Sequence, residues 1–262
     1  VIALDLRDRV AVVTGASAGI GRATVGVLVE AGATVLAVAR REENLRELAE
    51  TLPSGAVIPL PLDITEPDAA AWVVDAVEAA GGRLDILVNA AGGSRTVAVD
   101  APDSAWDEAM ELNFSGGRRL SQALIPFLRC SEHGRIITVT GSSEPATNPV
   151  FADASRASAL NASNSAKAAA HAWSKGLSRE LGVDGITVNC VAPGTILTEQ
   201  LARIFPTEED RRRHVEEMGI PAGRFGAPIE LAHTIAFLAS DLAEYITGEI
   251  ISVDGGKRRF AF

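Results

Sequence analysis

The run Thr14-Gly15-Ala16-Ser17-Ala18-Gly19-Ile20-Gly21 follows a short β-branched stretch and leads into a Val-rich one. Glycines at this spacing let the chain turn tightly at Gly15, approach a pyrophosphate closely at Gly19 and pack helix on strand at Gly21, with helix N–H groups aimed at the anion. The chemistry implied is dinucleotide binding, with Gly15, Ser17, Gly19, Ile20 and Gly21 as contacts. A second signal ends the next β-branched run, Val38-Ala39-Arg40-Arg41. An NAD(H) site usually carries a carboxylate there for the adenosine ribose hydroxyls. Here Arg40 can take a 2′-phosphate through charge-assisted bonds and Ser17 can add a hydroxyl, so NADP(H) is favoured over NAD(H). The alternative, that Arg40 and Arg41 only begin a solvated helix face, stays open. Lys167 and His171 lie one helical turn apart in an Ala-rich stretch; the lysine is a candidate base, whereas His171 reads as a packing or interface residue. No Cys/His/Asp grouping has metal-ligand spacing, so no metal is expected.

These residues need rigid elements to hold them. Short apolar runs at 10–13, 34–38, 56–58, 84–88, 135–139, 185–189 and 249–253 read as seven buried strands, alternating with helices at about 20–31, 42–51, 67–80, 102–130, 156–182 and 228–240. That alternation implies βαβ units with right-handed crossovers. The expected fold class is α/β, a single-domain Rossmann-like doubly wound parallel sheet of about seven strands with helices on both faces, spanning 1–262. Two stretches depart from the rhythm. The loop from Gly141 to about Ala159 is rich in Ser, Pro and Ala, and 198–228 is a charged, helical excursion expected to act as a substrate lid.

Composition narrows the function classes. The chain has 262 residues with a net charge of −10, 47% hydrophobic and 22% charged residues, and no apolar run long enough to span a membrane. A net acidic surface disfavours nucleic acid. Two cysteines argue against a disulfide scaffold and suit the cytoplasm. The opening Val1-Ile2-Ala3-Leu4 run is too short for a secretory signal.

The glycine turn, Asn89-Ala90-Ala91-Gly92, Asn113, Lys167, Pro193-Gly194 and the ending Tyr245-Ile-Thr-Gly-Glu-Ile-Ile-Ser-Val-Asp254-Gly-Gly256 occur in the order and approximate spacing of the short-chain dehydrogenase/reductase (SDR) family, which the chain resembles from about Leu6 to Gly256. Within the family it resembles 3-oxoacyl-carrier-protein-reductase-like members. The resemblance implies an oxidoreductase interconverting a carbonyl and an alcohol. It puts Asp63 and Ile64 at the adenine edge and Asn89, Ala90 and Gly92 at the adenosine ribose and sheet centre. It also puts Pro193, Gly194, Ile196 and Thr198 by the nicotinamide carboxamide. In this family's relay a Tyr protonates the carbonyl oxygen, a Lys four residues on lowers its pKa, a Ser polarises the oxygen and an Asn orders water behind the Lys. Lys167 matches the Lys, also contacting the cofactor ribose, and Asn113 matches the Asn. The Tyr position holds Ser163, and the one tyrosine, Tyr245, lies in the carboxyl-terminal segment. Ungapped counting from Gly134-Arg135-Ile136-Ile137 puts Gly141 at the family's Ser position, with Ser142 and Ser143 just beyond; Ser142 is taken as the catalytic candidate. The same resemblance implies a homotetramer built on the 102–130 and 156–182 helices and the 254–256 segment.

Three functions are compatible with these residues. One is an NADP(H)-dependent reductase with an altered relay of Ser142 or Ser143, Ser163, Lys167 and water. Another is a dinucleotide-binding homologue without redox activity, and the third is an isomerase or eliminase using Lys167 or a nearby His as base. The apolar residues Leu201, Ile204, Phe205, Val215, Met218 and Ile220 of the lid, with Arg203 and Arg211 to Arg213 nearby, suit a medium apolar ketone or an acyl chain on an anionic carrier, although that charge cluster also reads as a solvated helix face; the expected substrate is small or acyl-type.

Overall fold

The computed structural model describes residues 4–94, 96–98, 100–141 and 160–258. Its seven-stranded sheet is wholly parallel: β1 (Val10–Thr14), β2 (Thr34–Ala39), β3 (Val57–Pro61), β4 (Ile86–Asn89), β6 (Arg135–Val139), β8 (Thr187–Pro193) and β9 (Ile250–Val253), in the spatial order β3-β2-β1-β4-β6-β8-β9. Two two-residue strands, β5 (Thr96–Val97) and β7 (Leu160–Asn161), pair antiparallel beside it.

Alternation along each strand divides the core in two. Ala11, Val13, Val35, Ala37, Ile86 and Val88 face α1 (Gly19–Glu30), α2 (Glu42–Thr51) and α9 (Pro228–Ala239). Val12, Leu36, Val38, Leu87 and Ile136 face α3 (Ala69–Ala79), α5 (Gly116–Arg129) and α6 (Ala162–Leu181). A strand buried on both faces must be apolar at every position, which is why these runs are continuous rather than alternating. The doubly wound α/β architecture is therefore as expected.

Several local expectations are corrected. The two edge strands are only part-buried: Ile58 and Ile250 are exposed, and β3 tolerates Pro59 and Pro61 because an edge does not need every N–H. The helix expected over 102–130 is α4 (Asp103–Met110), a π-helical turn at Glu111–Ser115, and then α5. One extra residue in a helix shifts the apolar stripe too little to be read from sequence. The helix expected from 156 begins, among the described residues, at Ala162, because Leu160 and Asn161 pair their backbones with Thr96 and Val97. The excursion after β8 is helical as expected, with α7 (Glu199–Ile204) and α8 (Glu208–Met218). Its apolar residues, however, mostly pack on one another: Val215, Ile220 and Phe225 are buried against Leu197, Leu201, Phe205 and Met218. Hydrophobicity says that a side chain is buried, not against what. Among the described residues no helix is long and apolar enough to cross a membrane.

Candidate active site

The chain steps outward from β1 to β3 and then returns to β4 on the other side of β1. The carboxyl ends of β1 and β4 thus flank the crevice in which doubly wound sheets hold ligands. The turn after β1 is built for close approach. Gly15 has φ +67°, and a Cβ there would sit 2.8 Å from the Ala90 carbonyl oxygen; one at Gly21 would sit 2.3 Å from the Gly15 oxygen. Thr14 Oγ1 ties this turn to the next strand by accepting from the N–H groups of Ala90 and Ala91, both at 3.0 Å. Gly19 opens α1, whose N-cap, Ala18, offers no side-chain bond, and no acidic residue occupies the first turn. The leading N–H groups of α1 are therefore left for an anion. Ile20 packs against the core beside them.

At the end of β2 two guanidinium groups flank this turn. Arg40 Nη1 lies 3.5 Å from Asp63 Oδ2. Arg41 Nε donates to Ser17 Oγ at 3.2 Å, and its Nη1 reaches Glu199 Oε2 at 3.3 Å. Asp63 also accepts from Thr65 N and Thr65 Oγ1, at 3.0 and 2.8 Å. Burial would raise its pKa, but those bonds and Arg40 outweigh it and hold the carboxyl below its ordinary value. Sequence reasoning singles out Arg40; the contact between Arg41 and Ser17 adds Arg41, which only its adjacency to Arg40 signalled.

The other expected contacts fall into two groups. Gly92, Gly194 and Thr198 lie at close approaches: a Cβ at Gly92 would be 3.0 Å from Asn113 Oδ1, and one at Gly194 would be 2.6 Å from Asp254 Cα, while Thr198 faces Gly19 through its methyl and caps α7. Pro193 ends β8. The side chains of Asn89, Ile64 and Ile196 turn inward instead. Asn89 Nδ2 donates to Ser121 Oγ at 2.9 Å, and Ile64 and Ile196 are buried in the two halves of the core.

Asn113 and Ser163 are brought together. Asn113 lies in the π-helical turn, where its Oδ1 accepts from Gly93 N at 3.0 Å and its Nδ2 donates to Ala109 O at 3.0 Å and to Ser163 Oγ at 3.4 Å. Ser163 Oγ in turn donates to Gly93 O at 2.7 Å. One helical turn further along α6, Lys167 runs beside Gly141 at the end of β6: a Cβ at Gly141 would stand 3.1 Å from Lys167 Cδ and 3.4 Å from Nζ. Burial lowers the Lys167 pKa. Ser142 and Ser143 lie outside the described residues. His171 is buried, as a packing residue would be, but its Nε2 bonds Thr140 Oγ1 at 2.7 Å. Its pKa is lowered by burial and then by the charges of Arg258 and Lys167. Among the described residues no group of His, Cys, Asp and Glu has the arrangement of a metal site.

A family model described as Enoyl-(Acyl carrier protein) reductase matches residues 15–258. The chain is 37% identical over 254 residues to the 3-oxoacyl-acyl-carrier-protein reductase FabG of Escherichia coli (strain K12), covering 97% of this chain and 98% of that protein. It is 36% identical over 259 residues to FabG of Thermotoga maritima, covering 97% and 99%. Among solved structures, L-sorbose reductase from Gluconobacter frateurii, complexed with NADPH and L-sorbose, superposes with a TM-score of 0.87 at 31% identity, covering 99% of this chain and 100% of that one. An NADPH-bound short-chain oxidoreductase from Pseudomonas aeruginosa PAO1, described as containing an atypical catalytic centre, superposes at 0.86 with 32% identity, covering 98% and 99%. With a family model matching residues 15–258 and relatives matched over nearly the whole chain, the protein belongs to the short-chain dehydrogenase/reductase family and is an oxidoreductase.

Proposed function

We propose that this chain is an NADP(H)-dependent reductase interconverting a carbonyl and an alcohol on a small or acyl-type substrate, with an atypical centre in which Lys167 takes over the proton transfer of the missing tyrosine. The observation that carries this reading is the bond from Ser163 Oγ to Gly93 O. A hydroxyl that donates at 2.7 Å to a main-chain carbonyl has its proton engaged, and an alkyl hydroxyl gives up a proton far less readily than a phenol of pKa ~10. Lys167 carries a part-buried amine one turn away, its pKa lowered by desolvation, and beside it Gly141 stands just past the end of β6. An ammonium with a lowered pKa is a better acid near neutrality.

The residues present fit the dinucleotide. The close approaches at Gly15 and Gly21, the uncapped start of α1, and the basic and hydroxyl groups of Arg40, Arg41 and Ser17 suit a pyrophosphate and a 2′-phosphate. The NADPH-bound relatives support the same cofactor. When bound, NADPH supplies a hydride to the carbonyl carbon. Lys167 Nζ gives a proton to the carbonyl oxygen, so that an alcohol forms, and regains one from solvent. Asn113 and Ser163 hold Gly93 and the strand-end loop in place, and the α7–α8 segment serves as the lid.

A homotetramer fits the same reading. α6 presents small, exposed Ala168, Ala172 and Gly176, and Phe237, Leu242, Tyr245 and Ile250 leave apolar surface exposed near α9 and β9. Two free cysteines, exposed Cys130 and buried Cys190, support the cytoplasm.

The test is consumption of NADPH and NADH with a panel of 3-oxoacyl thioesters and small ketones. NADPH should be preferred by about 1–2 kcal/mol, the scale of a charge-assisted bond, and Arg40→Asp should reverse the preference. An unchanged preference in Arg40→Asp, or no hydride transfer to any carbonyl, overturns the proposal.

A further inference from the structure

Each guanidinium at the expected phosphate position is already paired with a carboxylate, and one of those carboxylates belongs to the lid. Arg40 pairs with Asp63. Arg41 pairs with Glu199, the first residue of α7, while the same guanidinium holds Ser17 of the glycine turn. Three elements thus meet at Arg41: the turn after β1, the start of α2 and the start of the lid. α7 is otherwise lightly held. It is six residues long, none of its side chains is fully buried, and its first turn borders an open groove of about 400 Å³ lined by Gly19, Arg22, Thr51 and Thr198. Short elements with few buried contacts move at low cost.

A 2′-phosphate beside Ser17 would compete with Glu199 for Arg41. It carries more charge than a carboxylate and presents three acceptor oxygens to a planar fork of donors. We infer that Glu199 is a specificity-determining residue: in the free protein it stands in for the 2′-phosphate at Arg41, and arrival of the phosphate transfers Arg41 to the cofactor and releases α7. The phosphate-bearing cofactor then both binds and unlatches the lid, whereas a cofactor lacking that phosphate leaves α7 tied to Arg41. The inference rests on the NADP(H) reading. Arg41 and Glu199 are about half exposed, so the latch is a light one, and its removal should change affinity only about two- to fivefold.

The experiment uses adenosine 2′,5′-bisphosphate and adenosine 5′-monophosphate, which differ in the 2′-phosphate and lack the nicotinamide. Amide hydrogen exchange over 199–204 is followed in the full chain and in Glu199→Gln, with affinities measured by calorimetry. The bisphosphate, and not the monophosphate, should speed exchange in α7. In Glu199→Gln that exchange should already be fast without ligand, and affinity for the bisphosphate alone should rise about two- to fivefold. If the bisphosphate binds more tightly than the monophosphate yet α7 exchanges alike with both, or if Glu199→Gln changes both affinities equally, the latch is overturned while the cofactor reading stands. If the bisphosphate binds no more tightly than the monophosphate, the phosphate reading falls and the latch with it.

Discussion

Alanine at Ser163 removes one donor and one acceptor from the loop after β4. The bond to Gly93 O at 2.7 Å is lost, and so is the long one from Asn113 Nδ2 at 3.4 Å. Asn113 keeps its bonds with Gly93 N and Ala109 O, so its place in the π-helical turn survives. The loss is then about one hydrogen bond, about 0.5–1.5 kcal/mol, which caps the fall in turnover near tenfold. Methionine at Lys167 keeps the stem and removes the ammonium. If that ammonium bonds the cofactor ribose, its loss should weaken NADPH binding by about 1.5–3 kcal/mol, roughly ten- to a hundredfold, and should lower turnover further by removing the proton source. Fluorescence titration of NADPH, read beside steady-state turnover for wild type, Ser163→Ala and Lys167→Met, separates the two effects. A drop of several orders of magnitude in Ser163→Ala with NADPH binding intact would mean that Ser163 carries the proton. Undiminished turnover in Lys167→Met would refute the role given to the lysine.

Two further outcomes follow from buried charge and exposed apolar surface. Burial, Arg258 and Lys167 together depress the His171 pKa, so the native state favours the neutral ring; the stability this contributes is present above the ordinary histidine pKa of ~6.5 and is lost as pH falls through the depressed value. Thermal melts from pH 8 to pH 5 should therefore fall more steeply for wild type than for His171→Gln, which keeps a partner for Thr140 without titrating; parallel profiles would contradict this. Light scattering at micromolar concentration should report about four chains, and Ile250→Asp should reduce that number; a wild-type monomer would overturn the assembly.

What was legible in the sequence follows from how each feature is encoded. Gly15 and Gly21 can be read because the backbone contacts at those positions admit no side chain, so residue type reports geometry directly. Strands buried on both faces are legible for a similar reason, since every position must be apolar. Their ends are less so. The sequence suggests a strand from residue 84, but Asp85 is fully buried just before the amino end of β4, accepting from Val10 N, Arg83 and Ser131, and the strand begins at Ile86. Arg83 is a local partner, but Val10 and Ser131 come from other parts of the chain, so the sequence around Asp85 does not mark that role. The same holds for β7, whose pairing partner lies more than sixty residues earlier, and for Arg41, whose partner Glu199 lies 158 residues away.

The reactive centre divides along the same line. A missing tyrosine is a statement about residue type, and the sequence carries it in full: Ser163 stands four residues before Lys167. What the replacement does is a statement about direction. The hydroxyl turns to Gly93 O, a main-chain atom that no motif names, and Asn113 closes the same ring of bonds from a π-helical turn. Ser163 has its hydroxyl proton engaged, and Gly141, where ungapped counting from Gly134 places the family's Ser, has no side chain and so leaves room at Lys167. A phenol at 163 would need the lysine only as a neighbour that lowers its pKa. With the phenol gone and the serine turned away, the proposed relay passes to Lys167, which runs beside Gly141 past the end of β6. On that proposal, the burial that lowers the Lys167 pKa makes its ammonium a better acid near neutrality.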